Sequence, residues 1–350
     1  MRILFIGGTG LISSAVSPLV IEQGHDLTLV NRGTSPKATP PDGAHVILAD
    51  ARDPAALRET LKADVEASGP YDAVVQWICF TTGHLRQDLE TFADLTRQYV
   101  FISSASAYET PPSQLRAREG TTPLVNPFWQ YSRDKATCED LLRKASEESG
   151  FPFTIVRPSH TYGYSDIPMA ITSLYYPWTI VDRIQRGKRI IMHGDGTSLW
   201  TLTDHRDFAV GIAGLLGNPA AIGEDFHITS DDVLTWNQIH QIVAGAAGVS
   251  AEALARQTVF IPTDVLVRFD REAFEGPLLG DKANHGIFDT SKLKALVPEF
   301  ETRHWFRDSI HEAIEWFMAD PSRQSIDHDA NALWDRITDS YTKAVDSIFS

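Results

Sequence analysis

The sequence predicts an α/β protein: a Rossmann-type, doubly wound parallel sheet with a smaller C-terminal substrate-binding lobe. Short apolar runs alternate with segments of helical length through the first half of the chain, as consecutive βαβ units require. The first run, Arg2 to Ile6, leads directly into the glycine-rich turn Gly7 to Gly10, where the backbone can approach a phosphate closely. A second run ends about 20 residues later, at Asn31-Arg32, as in dinucleotide-binding units.

The Rossmann domain is predicted to cover residues 1–158, with later returns near 205–230. In its first helix, Ile12, Val16 and Val20 recur at helical spacing. Pro18 should kink this helix, and Gly24 is placed to end it. Residues 33–43 are a loop rich in Pro, Thr and Gly. The expected strands are 2–6, 27–30, 44–49, 72–77, 99–103 and 151–157, and the expected helices are 11–23, 54–67, 84–97 and 128–149.

The substrate-binding lobe is predicted from residues 159–204 and 231–320, where the regular alternation ends. Residues 321–350 are predicted to form a C-terminal helical extension, because Leu333, Trp334 and Ile337 recur at helical spacing, followed by Tyr341 and Val345. Beyond residue 158, the expected helices are 179–186, 208–216, 236–247, 291–296 and 304–320, and the expected strands are 189–193, 199–202, 225–229 and 258–261.

The composition excludes several classes of protein. A chain of 350 residues suffices for one large domain or two coupled ones. The net charge of −15 and the scattered basic residues argue against a nucleic-acid binder. No apolar run approaches the ~20 residues of a membrane helix, and no histidine or cysteine pair has metal-ligand spacing. Two cysteines, Cys79 and Cys138, give no disulfide framework. With no secretory signal, a cytoplasmic location is expected.

Tyr131 and Lys135 lie four residues apart on a predicted helix and therefore share one face. An ammonium group stabilises a nearby phenolate, so Lys135 is expected to lower the pKa of Tyr131. The pair can then move a proton to or from a carbonyl or alcohol oxygen, and Lys135 can also hold the nicotinamide ribose. The alternative is a solvated helix face. The fifth strand ends in Ser103 to Tyr108, and a serine at that edge can bind the same oxygen.

The motifs in chain order are GGTG at 7–10, LAD at 48–50, SSASAY at 103–108, YSRDK at 131–135, RPSHTYG at 157–163, HGDG at 193–196, GD at 280–281 and DTSKLKAL at 289–296. Together they resemble the extended short-chain dehydrogenase/reductase family, in its epimerase/dehydratase-like branch, over most of residues 1–320. The resemblance implies that Ser104 is the catalytic serine, Tyr131 the acid/base group and Lys135 its partner. It also implies that Asp50 contacts the adenine and that a homodimer forms through helices near 84–97 and 129–149. The chain is distantly similar to chloroplast stem-loop RNA-binding proteins.

The cofactor is expected to be NADP(H) in preference to NAD(H). The acid that usually ends the second strand and binds the ribose 2′-hydroxyl is replaced by Asn31-Arg32, and an arginine there can pair with a 2′-phosphate. The alternative is that Arg32 is a solvated loop residue. The expected cofactor-binding residues are Gly7, Gly8, Thr9, Gly10, Leu11, Ile12, Asn31, Arg32, Asp50, Ala51, Trp77, Ser103, Tyr131, Lys135 and Pro158.

The substrate is expected to carry less charge than a nucleotide sugar. Family members that act on nucleotide sugars usually hold the diphosphate with two arginines, where this chain has Trp200 and Leu278. Five aromatic residues can form a pocket wall, with core packing as the alternative; they are Phe128, Trp129, Tyr175, Tyr176 and Trp178. The expected substrate-binding residues are Phe80, Ser106, Trp129, His160, Trp178 and Trp200.

The expected function is reversible hydride transfer between a nicotinamide and a secondary alcohol or ketone, sugar-like or aromatic, alone or within an epimerisation. One alternative is a nucleotide-sugar epimerase with an unusual diphosphate clamp. Another is an RNA-binding or redox-sensing module that uses the cofactor only as a ligand; the acidic charge and the presence of Ser104, Tyr131 and Lys135 oppose it. The expected partners are a small-molecule substrate and a second copy of the chain, without a membrane or nucleic acid.

Overall fold

The computed structural model describes residues 1–33 and 39–350, so part of the loop predicted at 33–43 lies outside the described residues. Strands and helices alternate along the first half, as the sequence predicts. The strands are β1 (Arg2–Ile6), β2 (Asp26–Asn31), β3 (His45–Leu48), β4 (Ala73–Gln76), β5 (Tyr99–Ile102), β6 (Phe153–Pro158), β7 (His160–Tyr162), β8 (Ile190–His193), β9 (Leu199–Asp204), β10 (Asp225–Ile228), β11 (Val233–Thr235) and β12 (Thr258–Ile261).

The central sheet confirms the predicted fold class. It has seven strands in the order β10-β6-β5-β4-β1-β2-β3, and all of its neighbouring pairs are parallel. Strands β4 and β5 are buried throughout, because helices cover both faces. The strand order reverses beside β1, which pairs with both β2 and β4. A crevice therefore opens at the carboxyl end of β1, where doubly wound sheets bind their ligands.

Helices cover both faces of this sheet and fill the second lobe. Helix α1 contains Pro18 and still reaches Glu22. Helix α3 ends at Phe92, before the expected residue 97, because Arg97 donates its backbone N–H to Tyr71 and already belongs to the approach to β5. The helices are α1 (Ser13–Glu22), α2 (Pro54–Ser68), α3 (Thr82–Phe92), α4 (Gln130–Ser149), α5 (Trp178–Gln185), α6 (His205–Leu215), α7 (Trp236–Ala246), α8 (Ala251–Gln257), α9 (Thr263–Phe269), α10 (Arg271–Phe274), α11 (Ser291–Leu296), α12 (Phe306–Met318) and α13 (His328–Phe349).

The second lobe contains elements that the sequence reading missed. Strands β7, β9 and β11 form a small sheet, and β8 pairs with β12. The missed elements are β7, β11, the short helices α8 to α10, and a π-helical segment at Glu275–Lys282. That segment contains Pro277 and two glycines, residues typical of loops.

Helix α13 is packed onto the second lobe and contributes to its core. Trp334 and Ile337 are buried among the apolar residues of this lobe. Arg183 of α5 is fully buried and pairs with Asp335 of α13. Residues 321–350 therefore share a hydrophobic core with the lobe that precedes them. No helix in residues 1–33 and 39–350 combines the length and apolarity that a membrane crossing needs.

Candidate active site and dinucleotide cavity

The glycine turn after β1 requires its glycines. Gly7 and Gly8 have φ values of 92° and 102°, a region that side chains with a Cβ atom rarely adopt. A Cβ atom on Gly8 would lie 2.8 Å from the Leu29 side chain. The Ser17 hydroxyl of α1 donates to the Gly8 carbonyl oxygen at 2.9 Å, and Gly10 bonds to Ser13 at the start of that helix. The turn therefore passes close to β2 and forms one wall of the crevice.

A cavity of about 870 Å³ opens beside this turn, within the range of pockets that hold cofactors. Its size and its glycine cradle fit a dinucleotide. Most of the expected cofactor-binding residues line it, together with Phe80, which was expected on the substrate side. These lining residues are Gly7, Gly8, Thr9, Gly10, Leu11, Ile12, Asn31, Arg32, Asp50, Ala51 and Trp77.

Four expected cofactor-binding residues do not line this cavity, namely Ser103, Tyr131, Lys135 and Pro158, and two of them have structural contacts. The Ser103 hydroxyl donates to the buried carboxylate of Glu139 at 2.6 Å, which holds the end of β5 against α4. Pro158 is buried within β6, where it pairs with Ile228 of β10. Neither residue lines the cavity. Both residues lie at the carboxyl ends of strands, as expected, but they contact neighbouring elements of the sheet and of α4.

The cavity carries two arginines at the ends of β2 and β3. Arg32 is exposed at its rim. Arg52 also lines it and donates to the carbonyl oxygen of Ile78, and the Arg52 backbone N–H donates to Asp50 at 2.9 Å. The sequence reading missed Arg52, although its position two residues after Asp50 in the LAD motif was a usable signal.

Lys135 lies at the centre of the candidate catalytic group. Its ammonium donates to the carbonyl oxygens of Cys79 and Ile102, at 2.6 and 2.7 Å. It also lies 5.7 Å from the centre of the Tyr131 ring and 5.0 Å from that of Phe80. Burial lowers the pKa of Lys135 to about 8. The group is still mostly charged at neutral pH and joins α4 to the ends of β4 and β5.

Burial raises the pKa of Tyr131, and a hydrogen bond with Ser104 partly opposes this effect. The expectation that Lys135 lowers this pKa is wrong, since the pKa is raised. The physical reason is that removal of the phenolate from water outweighs the field of an ammonium already shared between two carbonyl oxygens. Ser104 nevertheless acts on Tyr131, because its hydroxyl lowers the pKa of the phenol.

Ser104 begins a short 3₁₀ turn at the end of β5. Its hydroxyl lies 2.9 Å from that of Ser106, which lies 2.8 Å from that of Ser132 on α4. Ser106 was expected to bind substrate, but its hydroxyl is hydrogen-bonded to both Ser104 and Ser132. Ser132 was not singled out from the sequence, since nothing in the motif distinguishes it from a solvated helix position.

The substrate side combines aromatic and acidic groups. The rings of Trp129 and Tyr131 lie 5.1 Å apart. His160 on β7 lies 3.7 Å from Asp166. The pKa of Asp281 is raised to about 6 by burial, while Lys282 and His160 lower it. The negative charge of Asp281 in turn raises the pKa of Tyr131. Asp281, whose role the GD motif left open, therefore faces the reacting group.

Several expected substrate contacts are packing residues or surface residues. Trp178 is buried against Phe317, with ring centres 5.7 Å apart. Tyr175 and Tyr176 are exposed, at 80% and 44% of their surface, so they form no wall of a closed pocket. Trp200 packs on Trp236 and lines a smaller cavity of about 40 Å³ with Ser106 and Asp281. The sequence does not distinguish an aromatic residue that packs in the core of this lobe from one that binds the substrate.

The geometry supports proton transfer at one oxygen beside a dinucleotide. A serine hydroxyl, a phenol and an ammonium group meet where β5 and α4 approach the cavity. Among the described residues, no group of three or more acidic, histidine or cysteine side chains is arranged to hold a metal ion. Cys79 and Cys138 are free and buried.

The chain is similar in part to known proteins. A family model described as "NAD dependent epimerase/dehydratase family" matches residues 86–229. The chain is 26% identical over 259 residues to the "Chloroplast stem-loop binding protein of 41 kDa b" of Arabidopsis thaliana. That alignment covers 71% of this chain and 63% of the relative, less than two thirds of its length.

Solved structures of similar fold include epimerases. Epimerase Mth375 from Methanothermobacter thermautotrophicus has a TM-score of 0.71 at 16% identity, over 92% of this chain and 93% of that one. The UDP-glucuronic acid 4-epimerase of Bacillus cereus, solved with UDP-glucuronic acid and NAD, has a TM-score of 0.69 at 17% identity, over 91% of this chain and 99% of that one. At such identities the likeness establishes the fold.

Proposed function

We propose that this chain, whose residues 86–229 match the model of the NAD dependent epimerase/dehydratase family, is an NADP(H)-preferring enzyme that transfers hydride to or from a neutral secondary alcohol or ketone. The observation that carries the proposal is the Lys135 ammonium 5.7 Å from the centre of the Tyr131 ring, with Ser104 near enough to lower the pKa of Tyr131. The Lys135 ammonium also lies 5.0 Å from the centre of the Phe80 ring, and Phe80 lines the cavity whose glycine turn fits a pyrophosphate.

The side chains have distinct roles in this proposal. The nicotinamide, when bound, supplies or accepts the hydride. Ser104 donates a hydrogen bond to the substrate oxygen, and Tyr131 gives or takes the proton there. Lys135 holds its positive charge near Tyr131, and its two carbonyl contacts fix the spacing between α4 and the sheet. Trp129 packs beside Tyr131 and excludes water from one side.

The charge of the substrate side favours a neutral substrate. Leu278 and Trp200 are both buried in the apolar core of the second lobe and cannot replace the arginines that hold a diphosphate. Burial raises the pKa of Asp281 to about 6, so its carboxylate is mostly ionised at neutral pH. An anion placed beside it would be repelled and would raise this pKa further. A hydroxyl-bearing or aromatic carbonyl compound meets no such penalty.

The two cavity arginines favour NADP(H). Arg32 and Arg52 follow β2 and β3, beside the place where Asp50 is expected to meet the adenine. A 2′-phosphate there gains charge-assisted hydrogen bonds from a guanidinium. Titration by intrinsic fluorescence tests this point. We expect NADPH to bind at least about tenfold more tightly than NADH and Arg32→Ser to remove the difference. Tighter binding of NADH contradicts the preference.

Steady-state assays test the activity itself. NADPH oxidation is measured with neutral carbonyl probes, among them 9,10-phenanthrenequinone and simple keto sugars, and separately with UDP-glucose and UDP-glucuronic acid. We expect turnover of a neutral carbonyl compound and none of the nucleotide sugars. Epimerisation of a nucleotide sugar supports the alternative of a nucleotide-sugar epimerase. Absence of turnover for every probe and sugar contradicts the proposed activity.

RNA binding is a second candidate because the curated relative is named a stem-loop binding protein. The net charge of −15 opposes it, since RNA binding normally uses a basic surface. A gel shift with a stem-loop RNA at two salt concentrations separates the candidates. A salt-sensitive shift at submicromolar protein supports RNA binding, and no shift leaves the enzyme as the sole candidate.

A further inference from the structure

Three serine hydroxyls form a continuous hydrogen-bonded chain at the candidate active site. Ser132 of α4 lies 2.8 Å from Ser106, and Ser106 lies 2.9 Å from Ser104, oxygen to oxygen. Ser132 has no exposed surface. Each hydroxyl has one proton, so the hydrogen bonds of this serine chain can run in either of two directions.

The surroundings of Ser104 favour one direction. Its hydroxyl oxygen accepts a hydrogen bond from the Ser106 backbone N–H at 3.2 Å. If the Ser106 hydroxyl also donates to Ser104, both lone pairs of the Ser104 oxygen are occupied. The Ser104 proton then cannot point back into the chain. It must point outward, to Tyr131 or to an oxygen bound beside it.

The burial of Ser132 excludes the opposite direction. In that direction Ser104 donates to Ser106, Ser106 donates to Ser132, and the Ser132 proton needs an acceptor of its own. Among the described residues, the only hydrogen-bond partner of the Ser132 hydroxyl is Ser106. A buried donor without an acceptor or water loses its full hydration. When Ser132 donates to Ser106, every proton within the chain has an acceptor.

We infer that Ser132 and Ser106 are positioning residues that orient the Ser104 hydroxyl as a donor toward the reacting oxygen. The inference rests on the proposed function for its catalytic consequence, but the orientation itself does not. Linked hydroxyls polarise one another, so Ser104 becomes a stronger donor to an alkoxide or to the phenolate of Tyr131. The hydrogen bond by which Ser104 restrains the pKa of Tyr131 agrees with this orientation.

The backbone at Ser106, in the middle of the serine hydroxyl chain, is tied to the second lobe through Asn126. The Asn126 side chain donates to the carbonyl oxygen of Ser106 at 2.8 Å and to that of Gly280 at 2.7 Å. Asn126 is buried and also accepts the backbone N–H of Trp129. The Ser106 hydroxyl is therefore fixed relative to both α4 and the segment that carries Asp281.

The test measures the ionisation of Tyr131 by NMR in protein labelled with ¹³Cζ-tyrosine and saturated with NADP⁺. The Tyr131 signal is assigned by its loss in Tyr131→Phe. Ser132→Ala and Ser106→Ala should each raise the pKa of Tyr131, because the Ser104 hydroxyl is then no longer held as a donor toward the phenolate. Ser106→Thr keeps a hydroxyl and should restore the wild-type titration. Thr137→Ala is the matched control, since the Thr137 hydroxyl donates to the Arg133 carbonyl oxygen of its own helix.

Turnover of 9,10-phenanthrenequinone with NADPH gives a second readout. Loss of about 1 kcal/mol of hydrogen bonding corresponds to a fivefold lower kcat, with KM and the NADPH Kd unchanged in both alanine variants. An unchanged Tyr131 titration in Ser132→Ala and Ser106→Ala overturns the inference. If the wild type turns over no probe, the proposed function fails and the titration alone decides the orientation. If Ser132→Ala does not fold, the Ser106→Ala and Ser106→Thr pair decides it.

Discussion

Burial controls the ionisation of the candidate catalytic residues. It raises the pKa of Tyr131 and lowers that of Lys135 to about 8. The spacing of these residues made their contact predictable from the sequence. The direction of the Tyr131 shift was not predictable, because it depends on how deeply α4 packs and on the carbonyl oxygens that engage Lys135.

A single methyl group on the glycine turn should impair both folding and cofactor binding. In Gly8→Ala the new Cβ atom meets the Leu29 side chain at 2.8 Å, with φ at +102°. We expect a loss of roughly 1–3 kcal/mol in unfolding free energy and weaker NADPH binding, measured by urea denaturation and by fluorescence titration.

Gly69→Ala separates the two effects in Gly8→Ala. Gly69 also has a positive φ, of +86°, with nothing within 4 Å of an added Cβ atom. This variant should lose stability and keep wild-type NADPH affinity. Wild-type affinity in Gly8→Ala would show that the turn does not hold the pyrophosphate.

The elements of the sheet were predictable because their sequences are locally consistent. Strands β1 and β5 are apolar runs followed by glycine or serine, and their ends meet at one edge. Most of the expected cofactor-binding residues therefore line the cavity. The short α8 and the π-helical segment that carries Asp281 lack such a pattern, so the sequence left the substrate side incomplete.

Helix α7 should make the protein sensitive to acid through His240. This histidine is buried and accepts the Ala170 backbone N–H at 3.3 Å, and burial lowers its pKa to about 3, with His193 contributing in the same direction. Between pH 6.5 and 3 the unfolded chain takes up a proton that the folded protein refuses. Stability therefore falls as the pH falls, by about 1.4 kcal/mol per pH unit for this group.

His240→Gln removes the titrating group while keeping an acceptor for Ala170. Unfolding free energies from urea denaturation between pH 4 and 6 should show a slope smaller by about 1.4 kcal/mol per pH unit. A slope equal to that of the wild type would show that His240 is protonated in the folded protein.

At the scale of the whole molecule, the C-terminal helix completes the second lobe. The Arg183 guanidinium is fully buried between Asn331 and Asp335 of α13 and lies 5.8 Å from the Trp334 ring. The sequence placed the helix correctly by its periodicity. It could not show that the helix covers α5, because that contact joins residues far apart in the chain.

Truncation of Trp334 should destabilise the lobe. The side chain is only 4% exposed, and Trp334→Ala should cost about 3–5 kcal/mol of unfolding free energy. Phe349→Ala on the same helix is the control, because Phe349 is 84% exposed and its loss should change stability by less than about 0.5 kcal/mol. Equal effects of the two substitutions in urea denaturation would contradict the packing of α13.

The most direct test of the proposed hydride-transfer site is Tyr131→Phe, assayed with whichever carbonyl compound the wild type reduces. The substitution keeps the ring beside Trp129 and removes only the hydroxyl whose pKa Ser104 lowers. We expect kcat to fall at least about 100-fold, with an NADPH Kd within about twofold of the wild type. Tyr176→Phe, at an exposed position, should be fully active. Wild-type turnover in Tyr131→Phe would contradict the assignment of Tyr131 as the proton donor and acceptor.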